Sequence, residues 1–172
     1  WKAHYHPVRI GRRLLIRPQW IEVTPRPDDV VLALDPGMAF GTGTHPTTQL
    51  CLEALEARVE PGIRLLDLGC GSGILAIAGV KLGAVHALAL DNDPLAVEAT
   101  LANAQQNDVA DKITVEEGSL ESLRGSARRF DMIVVNILAR VIIEMCDQGL
   151  GQIVRPGGLA IFSGIIEEQA ND

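Results

Sequence analysis

The stretch Arg64-Leu-Leu-Asp-Leu-Gly-Cys-Gly-Ser-Gly73 decides how this chain folds. Leu65, Leu66 and Leu68 form a short apolar run, broken only by Asp67, that ends in Gly69, Gly71 and Gly73. Ile74, Leu75, Ile77, Ala78 and Leu82 then recur at helical spacing, and Gly83 stands where a helix would stop. A buried strand, a tight glycine turn and an amphipathic helix are expected. Glycine accepts positive φ and leaves no Cβ in the way of a ligand.

Two details set this loop apart from a dinucleotide fingerprint. Its spacing is Gly-x-Gly-x-Gly, with Ile74 where Gly-x-Gly-x-x-Gly needs its third glycine. Asp67 also lies inside the strand, two residues before Gly69, and a carboxylate there suits a cationic or amine-bearing ligand better than a pyrophosphate. The pattern Asp-x-Gly-x-Gly-x-Gly before a helix resembles motif I of the Rossmann-like methyltransferases. That resemblance implies S-adenosylmethionine, which carries an ammonium, a sulfonium and no phosphate. A bare strand-to-helix turn is the alternative.

Downstream, Val85 to Leu90 reads as a strand ending in Asp91-Asn92-Asp93-Pro94. An acid at a second strand's tip, about 20 residues past the glycines, is placed to accept hydrogen bonds from ribose hydroxyls, and Asp91 takes that role. Asp93 caps the next helix, Leu95 to about Asn107, with Ala96, Val97 and Leu101 inward. Ile113 to Val115 is a third strand, followed by Ser119 and Leu120 as candidate adenine contacts or as a plain turn. Phe130 to Val135 is a fourth, ending in Asn136-Ile137-Leu138-Ala139, where an amide faces the ligand crevice or caps the following helix. That helix runs from Leu138 to about Leu150 and buries Val141, Ile142 and Met145; Arg155 to Gly158 turns into a fifth strand, Leu159 to Phe162.

Upstream, Asp35 to Thr48 is rich in glycine and threonine, with Phe40 among them: a loop over a ligand, or an elaborate helix start. Thr44 or His45 could cap the helix that follows, with Pro46 in its first turn and Leu50, Leu52 and Leu55 on its apolar face. Val8 to Ile10 and Leu14 to Ile16 form a hairpin about Gly11, and Val30 to Leu34 another strand. The expected division is 1–34 as hairpin and linker and 35–172 as a Rossmann-like domain. His4 and His6 are read as surface residues, and no metal is expected.

A chain of 172 residues can hold one domain with a real core, and with 3% aromatics that core must be aliphatic. A net charge of −7 argues against non-specific nucleic-acid binding. Cys51, Cys70 and Cys146 form no Cys-x-x-Cys pair and read as reduced thiols in a cytoplasmic protein, Cys70 as packing rather than nucleophile. No apolar run is long enough to span a membrane.

Together, Asp35 to Thr48, the Asp67 to Gly73 loop, Asp91 to Pro94 and Asn136 to Ala139 resemble the ribosomal protein L-eleven methyltransferases (the PrmA type) over nearly the whole chain. The resemblance implies S-adenosylmethionine-dependent N-methylation of lysine and α-amines of a large-subunit ribosomal protein. It also implies a class I, doubly wound, mostly parallel sheet lacking its last strands and a recognition domain. Carried over by motif, the cofactor contacts are Phe40, Thr48, Gly69, Asp91 and Asn136; the glycine loop and strand tips add Asp67, Gly71, Gly73, Asn92, Ser119 and Leu120. Asn136 is the candidate catalytic residue, holding the amine in line with the methyl, although Ile137, Leu138 and Ala139 replace the Pro-Pro-Tyr found in many N-methyltransferases. Three rivals stay open: the same chemistry on another acceptor, an NAD-dependent oxidoreductase, and a non-catalytic binding module.

Overall fold

The computed structural model describes residues 5–35, 37 and 43–165. Its centre is strand β4 (Arg64–Leu68), flanked by β5 (His86–Asp91) and β6 (Ile113–Glu117) on one side and β7 (Phe130–Asn136) and β8 (Val154–Ser163) on the other. All four pairings are parallel. Strands of a parallel sheet are covered on both faces, which is why β4, β5 and β7 read as nearly unbroken apolar runs. Alternation divides them between two cores. Leu65, Ala87, Ala89 and Val134 pack with helices α1 (Pro46–Arg58), α2 (Ile74–Leu82) and α3 (Pro94–Gln106), whereas Leu66, Leu88, Leu90 and Val135 pack with Ile142 of α4 (Ala139–Asp147). The chain runs β4, β5, β6 outward and then returns to place β7 on the other side of β4. That reversal opens a crevice at the strands' carboxyl ends, between β4 and β7.

Several sequence expectations shift. Helix α2 is buried from Ile74 to Val80 rather than amphipathic, because the sheet, α1 and α3 surround it. The inward face of α1 is Thr48, Cys51, Leu52 and Leu55, an i, i+3, i+4, i+7 stripe that leaves Leu50 exposed. On α3 the stripe is Ala96, Ala99, Thr100, Asn103 and Ala104, and Leu101 faces outward; small and polar groups win the inner face because the glycine loop lies against it. Strand β8 begins at Val154 instead of Leu159, with Arg155 to Gly158 taken up as a register shift opposite Phe130 and Met132. Among the described residues no helix is long and apolar enough to cross a membrane.

The expected hairpin is present as β1 (Val8–Ile10) against β2 (Leu14–Pro18), but β3 (Val30–Leu34) pairs parallel to β2 and completes a second, three-stranded sheet. Ile10, Leu14, Ile16, Leu32 and Leu34 share the core cluster of α1 and α2. Glu56 of α1 ties the hairpin turn, accepting from the main-chain amides of Arg12 and Arg13 at 2.8 and 2.6 Å.

Two buried asparagines do the equivalent work for β3. Asn107 accepts from the Ala33 amide at 2.9 Å and donates to the carbonyls of Ala33 and Asn103 at 2.6 and 2.7 Å. Asn103 accepts from Asp35 N at 3.1 Å and donates to Ser72 O at 2.8 Å, so one side chain joins the end of β3 to the glycine loop. Asn107→Ala leaves buried main-chain groups unpaired and is expected to lower unfolding free energy by about 2–4 kcal/mol. Urea unfolding of parent and variant measures this; a loss under about 0.5 kcal/mol would mean the amide network is incidental.

Candidate functional site

Three glycines with φ of 80°, 54° and 78° (Gly69, Gly71 and Gly73) fold the link from β4 to α2 into a tight cradle. Side chains rarely adopt those angles, and a Cβ at Gly69 would stand 2.6 Å from Ile137 Cγ2. The cradle is fixed to the next strand: the amides of Gly69 and Cys70 both donate to Leu90 O, at 2.8 and 3.0 Å. Gly71 N donates to Asp91 Oδ2 at 2.9 Å, while Asp91 Oδ1 accepts from Asp93 N at 3.0 Å. Asp93 caps α3 as expected, accepting from Leu95 N at 2.9 Å. Gly118 N donates to Asp91 O at 2.9 Å, which brings the end of β6 beside the same carboxylate.

These strand ends enclose a cleft of about 340 Å3 lined by Gly69, Gly71, Asp91, Asn92, Ser119 and Asn136, with an apolar wall from Ile137, Leu138, Val141 and Met145. A narrow extension reaches Thr48 and Ile74 past the same glycines and Asn136. Asn136 does not cap α4, whose N-cap residue is Leu138. Its Nδ2 donates instead to Thr48 Oγ1 at 3.3 Å, across the β4–β7 switch point. Thr48 lies not in an irregular loop but in the first turn of α1, buried, behind the capping His45 and Pro46. Among the described residues, Asp91 is the one charged side chain in the cleft and its extension, and no lysine or arginine lines either.

Three of the expected residues stand apart from the cleft wall. Asp67 shares the face of Leu65, so its carboxylate enters the core beneath α2, where Oδ2 accepts from Ala76 N at 3.0 Å and Oδ1 is buried with no hydrogen-bond partner among the described residues. Gly73 turns toward α3, where a Cβ would meet Thr100 Cγ2 at 2.7 Å; its requirement for glycine is one of packing. Leu120 is buried in the α4-side core, beside a Ser119 that caps a short 3-10 turn. Phe40 lies outside the described residues, as does His4 of the His-x-His pair; among the described residues no group of side chains could hold a metal. Sequence reasoning missed Thr100, which donates to Gly71 O at 3.0 Å, and Asn103; the available signal was Asn103 on the buried stripe of α3 with Asn107 following at the helix end.

Burial pushes the Asp67 carboxyl up from 3.8 to about 7, against the Ala76 hydrogen bond and with a smaller push from Asp91. Burial likewise raises the Cys70 thiol, with Asp67 adding to it, and Cys70 Sγ rests 3.3 Å from Thr100 Oγ1 as a packed, un-ionised group. Between about pH 4 and about pH 7 the folded chain keeps a proton on Asp67 that the unfolded chain has released. Its contribution is therefore full below the unfolded value and is lost as pH rises through the folded one. The rise from 3.8 to about 7 corresponds to about 4 kcal/mol. Asp67→Asn removes that titration, so its stability relative to the parent should climb by an amount of that order from about pH 4 to about pH 7 and then level off. Urea unfolding across this range is the check, and a pH-independent difference would contradict the assignment.

A family model described as ribosomal protein L11 methyltransferase (PrmA) matches residues 1–172. The chain is 53% identical over 173 residues to the ribosomal protein L11 methyltransferase of Desulfitobacterium hafniense, covering 100% of this chain and 54% of that protein. It is 47% identical over 189 residues to the protein of the same name from Chloroflexus aurantiacus, covering 97% and 57%. The chain thus spans about half the length of the curated relatives it matches. Among solved structures, the ribosomal protein L11 methylase of Lactobacillus delbrueckii subsp. bulgaricus is similar with a TM-score of 0.88 and 38% identity, over 97% of this chain and 84% of that one. A methyltransferase from Thiobacillus denitrificans, solved with S-adenosyl-L-homocysteine, is similar at 0.56 and 25% identity over 69% of this chain and 49% of that one.

Proposed function

The chain belongs to the ribosomal protein L11 methyltransferase (PrmA) family and has its Rossmann-like methyltransferase fold; from this we propose that it binds S-adenosylmethionine in the β4–β7 cleft and transfers the methyl group to amines of a large-subunit ribosomal protein. The observation that carries the reading is the cleft's charge: among the described residues, one carboxylate, Asp91, and no cationic side chain. Such a lining fits a ligand that is positive and lacks phosphate. NAD is disfavoured by the glycine spacing, Gly-x-Gly-x-Gly with Ile74 where the dinucleotide fingerprint needs its third glycine.

When bound, S-adenosylmethionine supplies a methyl group on a sulfonium, an electrophile that needs no covalent enzyme intermediate. Asp91 would accept from the ribose hydroxyls with the lone pairs not used by Gly71 and Asp93. Ile137, Leu138, Val141 and Met145 offer an apolar wall for the adenine. The buried Asp67 carboxyl gives the cradle a negative reserve: a cation bound nearby favours its ionised form.

Asn136 is the proposed catalytic residue. With Nδ2 held by Thr48, its carbonyl oxygen is left to accept from a neutral amine and aim the nitrogen lone pair. A weak acceptor suffices because the lysine reaches the cleft already deprotonated, by solvent at raised pH. His45 is committed to the start of α1, its Nδ1 accepting from Thr47 N at 3.3 Å, and is not assigned a role as base. A ribosomal acceptor would place this chemistry in the cytoplasm.

The test is incubation of the chain with methyl-labelled S-adenosylmethionine and purified ribosomal protein L11, read by mass spectrometry alongside calorimetric titration with S-adenosylhomocysteine and NAD. Label in the ribosomal protein and binding of the homocysteine form are expected. Binding without transfer would reduce this chain to a cofactor-binding module, and binding of NAD in preference would overturn the reading.

A further inference from the structure

A second cleft, of about 810 Å3, opens at the other end of the sheet. Arg64, His86 and Phe130, the first residues of β4, β5 and β7, line it with Glu116, Arg128, Arg129 and Arg155, so it lies at the strands' amino ends, away from the glycine cradle. Four guanidinium groups thus share one hollow with a single carboxylate, on a chain whose net charge is −7.

The pairings do not neutralise it. Glu116 is taken by Arg128 at 3.1 Å. Asp131, outside the lining, is taken by Arg155 at 2.9 Å and by the main-chain amide of Arg64 at 2.7 Å. Among the described residues, Arg129 donates only to the carbonyls of Ser126 and Arg128, at 3.0 and 2.8 Å. The guanidinium of Arg64 makes no hydrogen bond or ion pair among the described residues. Two full positive charges therefore remain, both on exposed side chains at the mouth of the hollow. His86, whose Nε2 meets Thr114 Oγ1 at 2.9 Å, reports the local potential: burial lowers its pKa, and Arg64 and Arg128 lower it further.

Like charges gathered on an acidic molecule repel one another until an anion joins them. Guanidinium forks match the oxygens of phosphate better than any other common anion except carboxylate. Of the two rings in the lining, Phe130 is buried and His86 is half-buried with its Nε2 on Thr114, so no fully exposed ring is offered for a nucleobase to stack on. We propose that the cleft formed by Arg64, His86, Arg128, Arg129 and Arg155 is a second ligand site, which binds phosphate groups without reading a base. This site is separate from the proposed cofactor cleft and does not depend on it.

The test follows the His86 ring signals by NMR in the 172-residue chain, identified by their loss in His86→Gln. Sodium pyrophosphate is titrated in one arm and a short single-stranded oligouridine in another, both at low salt. Pyrophosphate is expected to shift the His86 signals saturably and to raise the ring's pKa. Arg64→Ala/Arg129→Ala should weaken that binding by at least about tenfold. Arg64→Gln, which keeps most of the side chain's length, should reproduce part of the loss if the double variant folds poorly. Oligouridine that competes for the same signals, binds tighter than pyrophosphate and is released by salt would identify polynucleotide phosphates as the source. Competition by pyrophosphate alone would identify a small phosphorylated ligand. His86 signals unmoved by either probe, or moved equally in the arginine variants, would overturn the site.

Discussion

Asp91→Ala is expected to weaken binding of S-adenosylhomocysteine by a hundredfold or more. Two hydrogen bonds from ribose hydroxyls to one carboxylate are charge-assisted, each worth about 1.5–3 kcal/mol, and a tenfold change in affinity is about 1.4 kcal/mol. The same substitution removes the acceptors of Gly71 N and Asp93 N, so the cradle loses an anchor as the ligand loses its partner. Asp91→Asn separates these contributions, since an amide oxygen can still accept one main-chain hydrogen bond without the charge. Isothermal calorimetry gives both affinities, and circular dichroism confirms that the sheet persists. An alanine variant that binds within about threefold of the parent would remove Asp91 from the ribose role.

Asn136→Ala should have the opposite signature: turnover falls by roughly a hundredfold while the affinity for S-adenosylhomocysteine stays within a small factor. The side chain is assigned to the acceptor amine, whose alignment matters in the transition state and hardly at all for cofactor binding. Thr48→Val, which deletes the hydroxyl that holds Nδ2, should lower turnover less, because Asn136 is then present but less firmly oriented. Single-turnover methyl transfer measured with saturating cofactor separates the steps. Full turnover in Asn136→Ala would show that the strand-end amide does not handle the amine.

The parts of this molecule that could be read from sequence were those where local chemistry and backbone geometry coincide. Gly69, Gly71 and Gly73, Asp91 at the tip of β5 and Asn136 at the tip of β7 each sit where a strand ends, and strand ends are marked by abrupt changes in residue type. Burial on helices was harder. Leu50 and Leu101 were expected inside on hydrophobicity, whereas the angular position of each residue turns it to solvent and brings Asn103 and Thr100 inward. Asparagine inside a helix reads as a surface residue until its partners, the edge of β3 and Ser72 O, are known, and those partners are distant in sequence. The side of the sheet on which Asp67 lies follows from its parity with Leu65, but its depth beneath α2 depends on how closely that helix packs.

The attachment of the cradle to Leu90 and Asp91 has a thermodynamic side. Glycine-rich segments lose more conformational freedom on becoming ordered than any others, and a loose loop would impose that entropy loss on each binding event. Here Gly69, Cys70 and Gly71 are held by main-chain and carboxylate acceptors of the folded protein itself. The ordering is completed when the chain folds, once, and a ligand meets a surface already shaped. Affinity in this cleft therefore depends on contacts made rather than on disorder overcome.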